Sequence, residues 1–160
     1  MDISASVAKL LDLYQPAMAD RQYSTHIDLE EHVFVDADSS LMSRVISNLL
    51  ENELTHLPPG CHIAFHLRSH DGSAQFSIED DGPGFPAEIM HRAFERFIKG
   101  KHSPGHGLGL AFVHAVVQAH GGAVELSARP DGGASITVLL PLSVARIDLE
   151  LEPLDSQSSP

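Results

Sequence analysis

Four short blocks stand in fixed order along this chain: Asn48-Leu-Leu-Glu-Asn52, Asp80-Asp-Gly-Pro-Gly84, Phe94-Glu-Arg-Phe97 and Gly105-His-Gly-Leu-Gly-Leu110. Asparagines on helices, Asp-Gly turns and clustered glycines are each common for structural reasons. Their succession is far more restrictive. It is their order, spacing and combination that is specific.

Apolar periodicity gives a coarse map of the fold. Val7, Leu10, Leu11, Leu13 and Tyr14 fit the stripe of an amphipathic first helix, while Thr25–Leu29 and His32–Asp36 read as two short strands around a Glu30-Glu31 turn. A longer helix, capped by Asp38, Ser39 or Ser40, buries Met42, Val45, Ile46, Leu49 and Leu50 until Pro58-Pro59-Gly60 stops it. Strands over 61–68 and 74–80 flank the His70-Asp-Gly-Ser turn. They send Ile63, Phe65 and Leu67, then Phe76, Ile78 and Asp80, to the core. Helical stretches over 86–97 and 107–119 follow, and two last strands, near 123–129 and 134–141, flank Asp131-Gly-Gly. Helices and strands mix without strict alternation. This favours an α/β (α+β) two-layer sandwich over a doubly wound parallel sheet: one mixed, mostly antiparallel sheet with about three helices on one face. Residues 1–142 form the expected domain; 143–160, acidic and then rich in Ser and Pro, read as a partly disordered tail.

Composition narrows the function. A chain of 160 residues, 42% of them apolar, can bury one good core. Its formal net charge of -12 argues against a nucleic-acid or acidic-membrane surface, since either needs a basic face. The single cysteine, Cys61, rules out an internal disulfide framework and reads as a small hydrophobe in an apolar strand. No apolar run approaches the ~18–20 residues that span a bilayer, and Met1-Asp-Ile-Ser lacks the order of a signal peptide. A cytoplasmic setting is expected, with any membrane anchor in other sequence.

Each block has its own chemistry. Asn48 and Asn52 are one helical turn apart, so their carboxamides leave one polar face, shared with Arg44, Glu51 and Thr55. Two adjacent carbonyl oxygens suit Mg²⁺, although two solvated asparagines would look the same. Asp80 follows Phe76 and Ile78 on the inward face of its strand, where a carboxylate must find donors; otherwise it is a turn-capping Asp before Gly82. Gly82 and Gly84 let backbone pass close to a ligand. Gly105, Gly107 and Gly109 lead into a helix, where exposed N–H groups and the macrodipole favour phosphate; the alternative is a plain hinge. The Gly-x-Gly-x-Gly spacing fits neither the dinucleotide fingerprint nor the Walker A loop.

In order, spacing and combination the blocks resemble the N, G1, F and G2 boxes of the histidine-kinase ATP-binding domain, in the wider family of gyrase, Hsp90 and MutL, over about residues 36–142. The resemblance implies a Bergerat-type ATP fold. It implies that Asn48 and Asn52 hold Mg²⁺ and that Asp80 accepts from the adenine amine. Gly82, Gly84, His56, Leu108 and Ser135 would line the nucleotide, and Gly105, His106, Gly107 and Gly109 would cradle phosphate. Arg96 would orient the terminal phosphate, with Lys99 adding charge, while Phe94 and Phe97 anchor the loop. Three departures stand out: Glu53 replaces a small residue on the apolar stripe, Thr55 replaces a basic one, and the lid from Ile98 to Pro104 is short.

Eleven histidines raise the question of a phosphoacceptor. His62 and His66 share a strand face with Arg68, opposite Ile63 and Phe65, which suits solvent better than zinc. The family's acceptor His lies on a separate helical hairpin and is followed directly by an acid. Only His70 here precedes one, and Asp71-Gly72 is a turn. The expected function is therefore the ATP-binding catalytic domain of a two-component sensor histidine kinase. It would work with a dimerisation and histidine-phosphotransfer domain and, through the parent kinase, a response regulator. The alternatives are a free-standing anti-sigma-type serine kinase and a nucleotide- or partner-binding module that has lost catalysis. The isolated chain should bind ATP without labelling itself; stable, acid-labile phosphate on one of its own histidines after incubation with radiolabelled ATP would contradict this.

Overall fold

Asp2 opens the first helix, its carboxylate accepting the Ala5 N–H at 3.1 Å, a cap of the kind that contributes about 1 kcal/mol. The structure, a computed structural model, describes residues 1–90, 92–95 and 108–143. Helix α1 (Ile3–Asp20) buries Ile3, Val7, Leu11 and Met18. Leu13, expected on that stripe, is 71% exposed; the inward positions follow the 3, 7, 11, 18 spacing, and residue 13 falls on the outer side. After β1 (Ser24–Leu29), helix α2 (Ser39–His56) begins at Asp38, whose Oδ1 accepts the Leu41 N–H at 2.8 Å. All five residues of its expected stripe are buried, and Glu53 with them.

The remaining elements are β2 (His62–His70), β3 (Ser73–Asp80), the short α3 (Ala87–Met90), α4 (Gly109–Ala119), β4 (Ala123–Ala128) and β5 (Ala134–Pro141). One sheet runs β1-β2-β3-β5-β4. Only β1 and β2 are parallel, with α2 as their crossover; the other pairs are antiparallel. Ile63, Phe65, Leu67, Phe76, Ile78, Ile136 and Val138 join residues of α1, α2 and α4 in a single apolar cluster. The sheet's inner face and the three longer helices thus make the two layers. His26, His66 and Arg68 lie on the open face, where Arg68 pairs with Asp28. No helix of the described residues is long and apolar enough to cross a membrane.

Two sequence expectations need correction. Residues 32–36 do not pair with β1 across a Glu30-Glu31 turn. Val35 instead exchanges backbone hydrogen bonds with Met1, and isolated bridges join Phe34 to Asp2 and Val35 to Leu142. Glu30 turns its carboxylate onto the distant Ser69 N–H at 2.7 Å, and His32 takes a left-handed φ of 61°, so the chain leaves the sheet instead of folding back on it. The helix expected over 86–97 is regular only over Ala87–Met90, and residues 92–94 form a turn. The part of that helix at 96–97, and the tail expected over 143–160 from 144 onward, lie outside the described residues.

The β4–β5 turn approaches the end of β3 so closely that only glycine fits. A Cβ on Gly133, whose φ is +90°, would stand 1.9 Å from the Asp80 carbonyl oxygen, whereas one on Gly132, at φ +95°, would meet nothing within 4 Å. Gly132→Ala should therefore cost only the backbone strain, about 1–2 kcal/mol, and Gly133→Ala at least about 2 kcal/mol more. Urea denaturation checks the difference; equal losses for the two variants would contradict the close approach.

Candidate functional site

Strand alternation delivers the Asp80 side chain to the buried face, where it is 5% exposed. The donors it requires come from backbone. Gly82 N–H donates to Oδ1 at 2.8 Å and Ala134 N–H to Oδ2 at 3.3 Å, while Arg129 Nη1 donates to the Asp80 carbonyl at 2.9 Å. Each carboxylate oxygen keeps acceptor capacity for a further donor. Burial raises the Asp80 pKa above its ordinary value; the two amides and Arg129 oppose that rise, and the charge of Asp81 adds to it. Asp81 itself turns outward and accepts the His62 N–H at 2.7 Å. A Cβ on Gly82 would lie 2.4 Å from Leu57 Cδ2 and 3.0 Å from Asp80 Oδ1, and Gly84, at φ +70°, packs against the Gly133 carbonyl. Both glycines thus lie against the walls of the Asp80 pocket.

On α2, Asn48 and Asn52 are half-buried on one face, as their spacing requires. Asn48 donates its Nδ2 to the Arg44 carbonyl at 2.7 Å, which leaves Oδ1 as the outward acceptor. That oxygen faces the start of α4, where a Cβ on Gly109 would stand 3.3 Å away. Leu108 occupies the α4 N-cap without a side-chain hydrogen bond and is 44% exposed, so among the described residues the first-turn N–H groups have no side-chain cap. A fixed amide oxygen beside an uncapped helix start suits a hard cation shared with an anionic ligand. The α2–α4 pair is braced by the Arg44 guanidinium 4.5 Å over the Phe112 ring, and Phe94, on the turn at 92–94, stacks 4.9 Å from His114 of α4. Phe94 thus anchors its segment on α4.

Other expected residues gather less closely. His56 and Thr55 are exposed on the last turn of α2. Ser135 pairs with Glu79 across the β3–β5 ladder and alternates with buried Ala134 and Ile136, so its side chain takes the sheet face opposite to Asp80. Its neighbour Ala134 supplies the contact to Asp80, through backbone. Arg96, Phe97, Lys99, Gly105, His106 and Gly107 lie outside the described residues. Sequence reasoning missed Ala134, Arg129 and Leu57 at the pocket; the Gly132-Gly133 pair was the one local signal that backbone passes close there.

These features describe an α/β sandwich with a buried acid at the end of β3 and a carboxamide helix face beside a helix N-terminus. Residues 37–144 match the model of the histidine kinase-, DNA gyrase B- and HSP90-like ATPases, and the chain belongs to that family. It is similar to the sensor histidine kinase component HK1 of Mycobacterium tuberculosis, with 35% identity over 70% of this chain and 67% of that protein. It is also similar to the sensor protein DivL of Caulobacter vibrioides, with 33% identity over 82% of this chain but 18% of DivL. Among solved structures, the mycobacterial sensor histidine kinase MprB superposes with a TM-score of 0.78 at 33% identity, covering 89% of this chain and 95% of that one. The catalytic domain of the histidine kinase ThkA, at 20% identity and a TM-score of 0.80, shares the fold. The chain is thus a histidine-kinase-type ATPase domain, and it spans a minor part of DivL and about two thirds of HK1.

Glu53 departs most from the expected pattern. It is 7% exposed, and burial, followed by the charge of Asp80, pushes its pKa from 4.5 up to about 8. The folded chain then holds a proton that the unfolded chain releases between those values, so stability is full below pH 4.5 and falls as pH rises toward 8. The loss across that window should be on the order of a few kcal/mol. Glu53→Gln should flatten the dependence of melting temperature on pH between 5 and 8; an unchanged slope would contradict a buried, late-titrating acid.

Proposed function

We propose that this chain is the ATP-binding catalytic unit of a two-component sensor histidine kinase, residues 1–142 forming the unit, and that it presents the γ-phosphoryl group to a histidine on a dimerisation domain. The observation that carries the site assignment is the buried Asp80 carboxylate, held by two backbone amides with acceptor capacity to spare. An acid on an apolar strand face suits one ligand group above others, the amine of adenine. Asn48 and Asn52 would hold Mg²⁺, which when bound neutralises phosphate charge. The uncapped start of α4, with Leu108, Gly109 and the upstream Gly105, His106 and Gly107, would seat the phosphates. Arg96 and Lys99 would add positive charge at the terminal one. His56 would flank the nucleotide from the last turn of α2, and Ser135 is left with no role in the base pocket.

Phosphoryl transfer depends mainly on positioning and on charge neutralisation, so the chain needs no nucleophile of its own. A neutral imidazole of the partner domain attacks in line, and the parent kinase passes the group to a response regulator. The similarity to HK1 and MprB supports this reading over the anti-sigma alternative. The setting proposed is cytoplasmic, without nucleic-acid or membrane contact by this domain.

Supplying the acceptor hairpin of a related sensor kinase, radiolabelled ATP and magnesium should place acid-labile phosphate on the hairpin histidine; phosphate on serine would overturn the assignment. Asn52→Ala should weaken Mg·ATP binding, and Asp80→Asn should reduce the preference for ATP over GTP. Each loss should be about ten- to a hundredfold, the usual consequence of leaving a buried polar group without its partner. Wild-type affinity and base selectivity in both variants, by calorimetry, would refute the site.

A further inference from the structure

Glu53 has no part in the site so far, yet it lies against it. It follows Asn52 on α2 and precedes by one turn Leu57, whose side chain closes on Gly82 beside the Asp80 carboxylate. Asp80 is its charged neighbour. The Tyr23 hydroxyl donates to the Glu53 and Leu57 carbonyls and Arg21 Nη2 to the Leu54 and Leu57 carbonyls, so neither of these groups donates to the Glu53 carboxyl, and the buried Arg21 Nε has no partner among the described residues either. The Glu53 carboxyl makes no hydrogen bond among the described residues, although the residue is more than nine-tenths buried. Among the described residues the buried side-chain polar atom without a partner is Arg21 Nε, so the Glu53 oxygens are not sealed off and can meet a ligand group; a small apolar side chain would pack this seam without the cost of desolvating an acid.

We infer that Glu53 is a second reader of the base, accepting one N–H of the adenine amine while Asp80 accepts the other. The inference rests on the reading of Asp80 as the adenine acceptor. The exocyclic amine of adenine carries two N–H donors, and the pocket then supplies an acceptor to each. Guanine places a carbonyl oxygen at the same point, which the Asp80 carboxylate rejects, so discrimination against guanine rests on Asp80 while Glu53 reads the second amine hydrogen. An adenine with one amine hydrogen replaced by methyl loses the Glu53 contact and meets the carboxyl sterically.

The test measures binding of ATP, GTP and N6-methyl-ATP by calorimetry, on the whole chain, for the wild type, Glu53→Ala, Glu53→Ser, Glu53→Gln and Asp80→Asn, with thermal melts to establish folding. The wild type should bind N6-methyl-ATP at least about tenfold more weakly than ATP, the usual cost of an unpaired group in a polar site. Either small variant should bring the two to within about threefold, because the carboxyl that excludes the methyl group is gone. Glu53→Gln, which keeps the bulk and one acceptor oxygen, should preserve the gap. Equal wild-type affinities for ATP and N6-methyl-ATP, or a wild-type gap in a folded Glu53→Ala or Glu53→Ser chain, overturns the inference. If in that case Asp80→Asn has lost its preference for ATP over GTP, the base site stands and only the role of Glu53 falls. If Asp80→Asn keeps that preference, the reading of Asp80 fails and the inference with it.

Discussion

Placing a carboxylate at the buried end of a central strand is the constraint that organises this molecule. Asp80 is tolerated there because two backbone amides close on its carboxylate, Gly82 of its own turn and Ala134 at the β5 start, while the Arg129 guanidinium, beyond β4, reaches its main-chain carbonyl. Gly133 must lack a side chain for those segments to meet. The β4–β5 turn, the Asp-Gly-Pro-Gly loop and the end of α2 are thereby fixed against one another at the mouth of the cleft.

The other end of the cleft is set by helix packing. Because α2 buries its stripe against the sheet, its opposite face must present Asn48 and Asn52 toward α4, whose start comes within contact of Asn48 Oδ1. Arg44 over Phe112 holds the two helices in that relation. The proposed phosphate end of the site and the Leu57 wall beside Asp80 thus share one helix and its C-cap. In a chain of net charge -12, the positive potential for phosphate falls to the helix N-terminus and a few basic side chains.

Local pattern revealed much of this. The α2 stripe, the inward residues of β2 and β3, and the pairing of Asn48 with Asn52 follow from period and spacing alone, because burial on one face imposes them. The parallel partnership of β1 with β2 could not be read locally, since it depends on a crossover of more than thirty residues. Residues 32–36 have strand composition yet pair with the chain's N-terminus, a long-range choice. Within the candidate site, block order singles out Asp80 and both asparagines as proposals, whereas the face that Ser135 takes follows only from the β3–β5 register, and the Ala134 amide has no side-chain signature at all. Glu53 was visible as a departure, but its proximity to Asp80 required the fold.

The central claim is that the buried Asp80 reads adenine while α2 and α4 seat the phosphates. A crystal structure of the chain with magnesium and a non-hydrolysable ATP analogue tests it most directly. The account predicts the adenine amine within hydrogen-bond distance of the Asp80 carboxylate and the phosphates between Asn48, Asn52 and the start of α4. A base bound elsewhere, with Asp80 keeping only its bonds to Gly82 and Ala134, would contradict it.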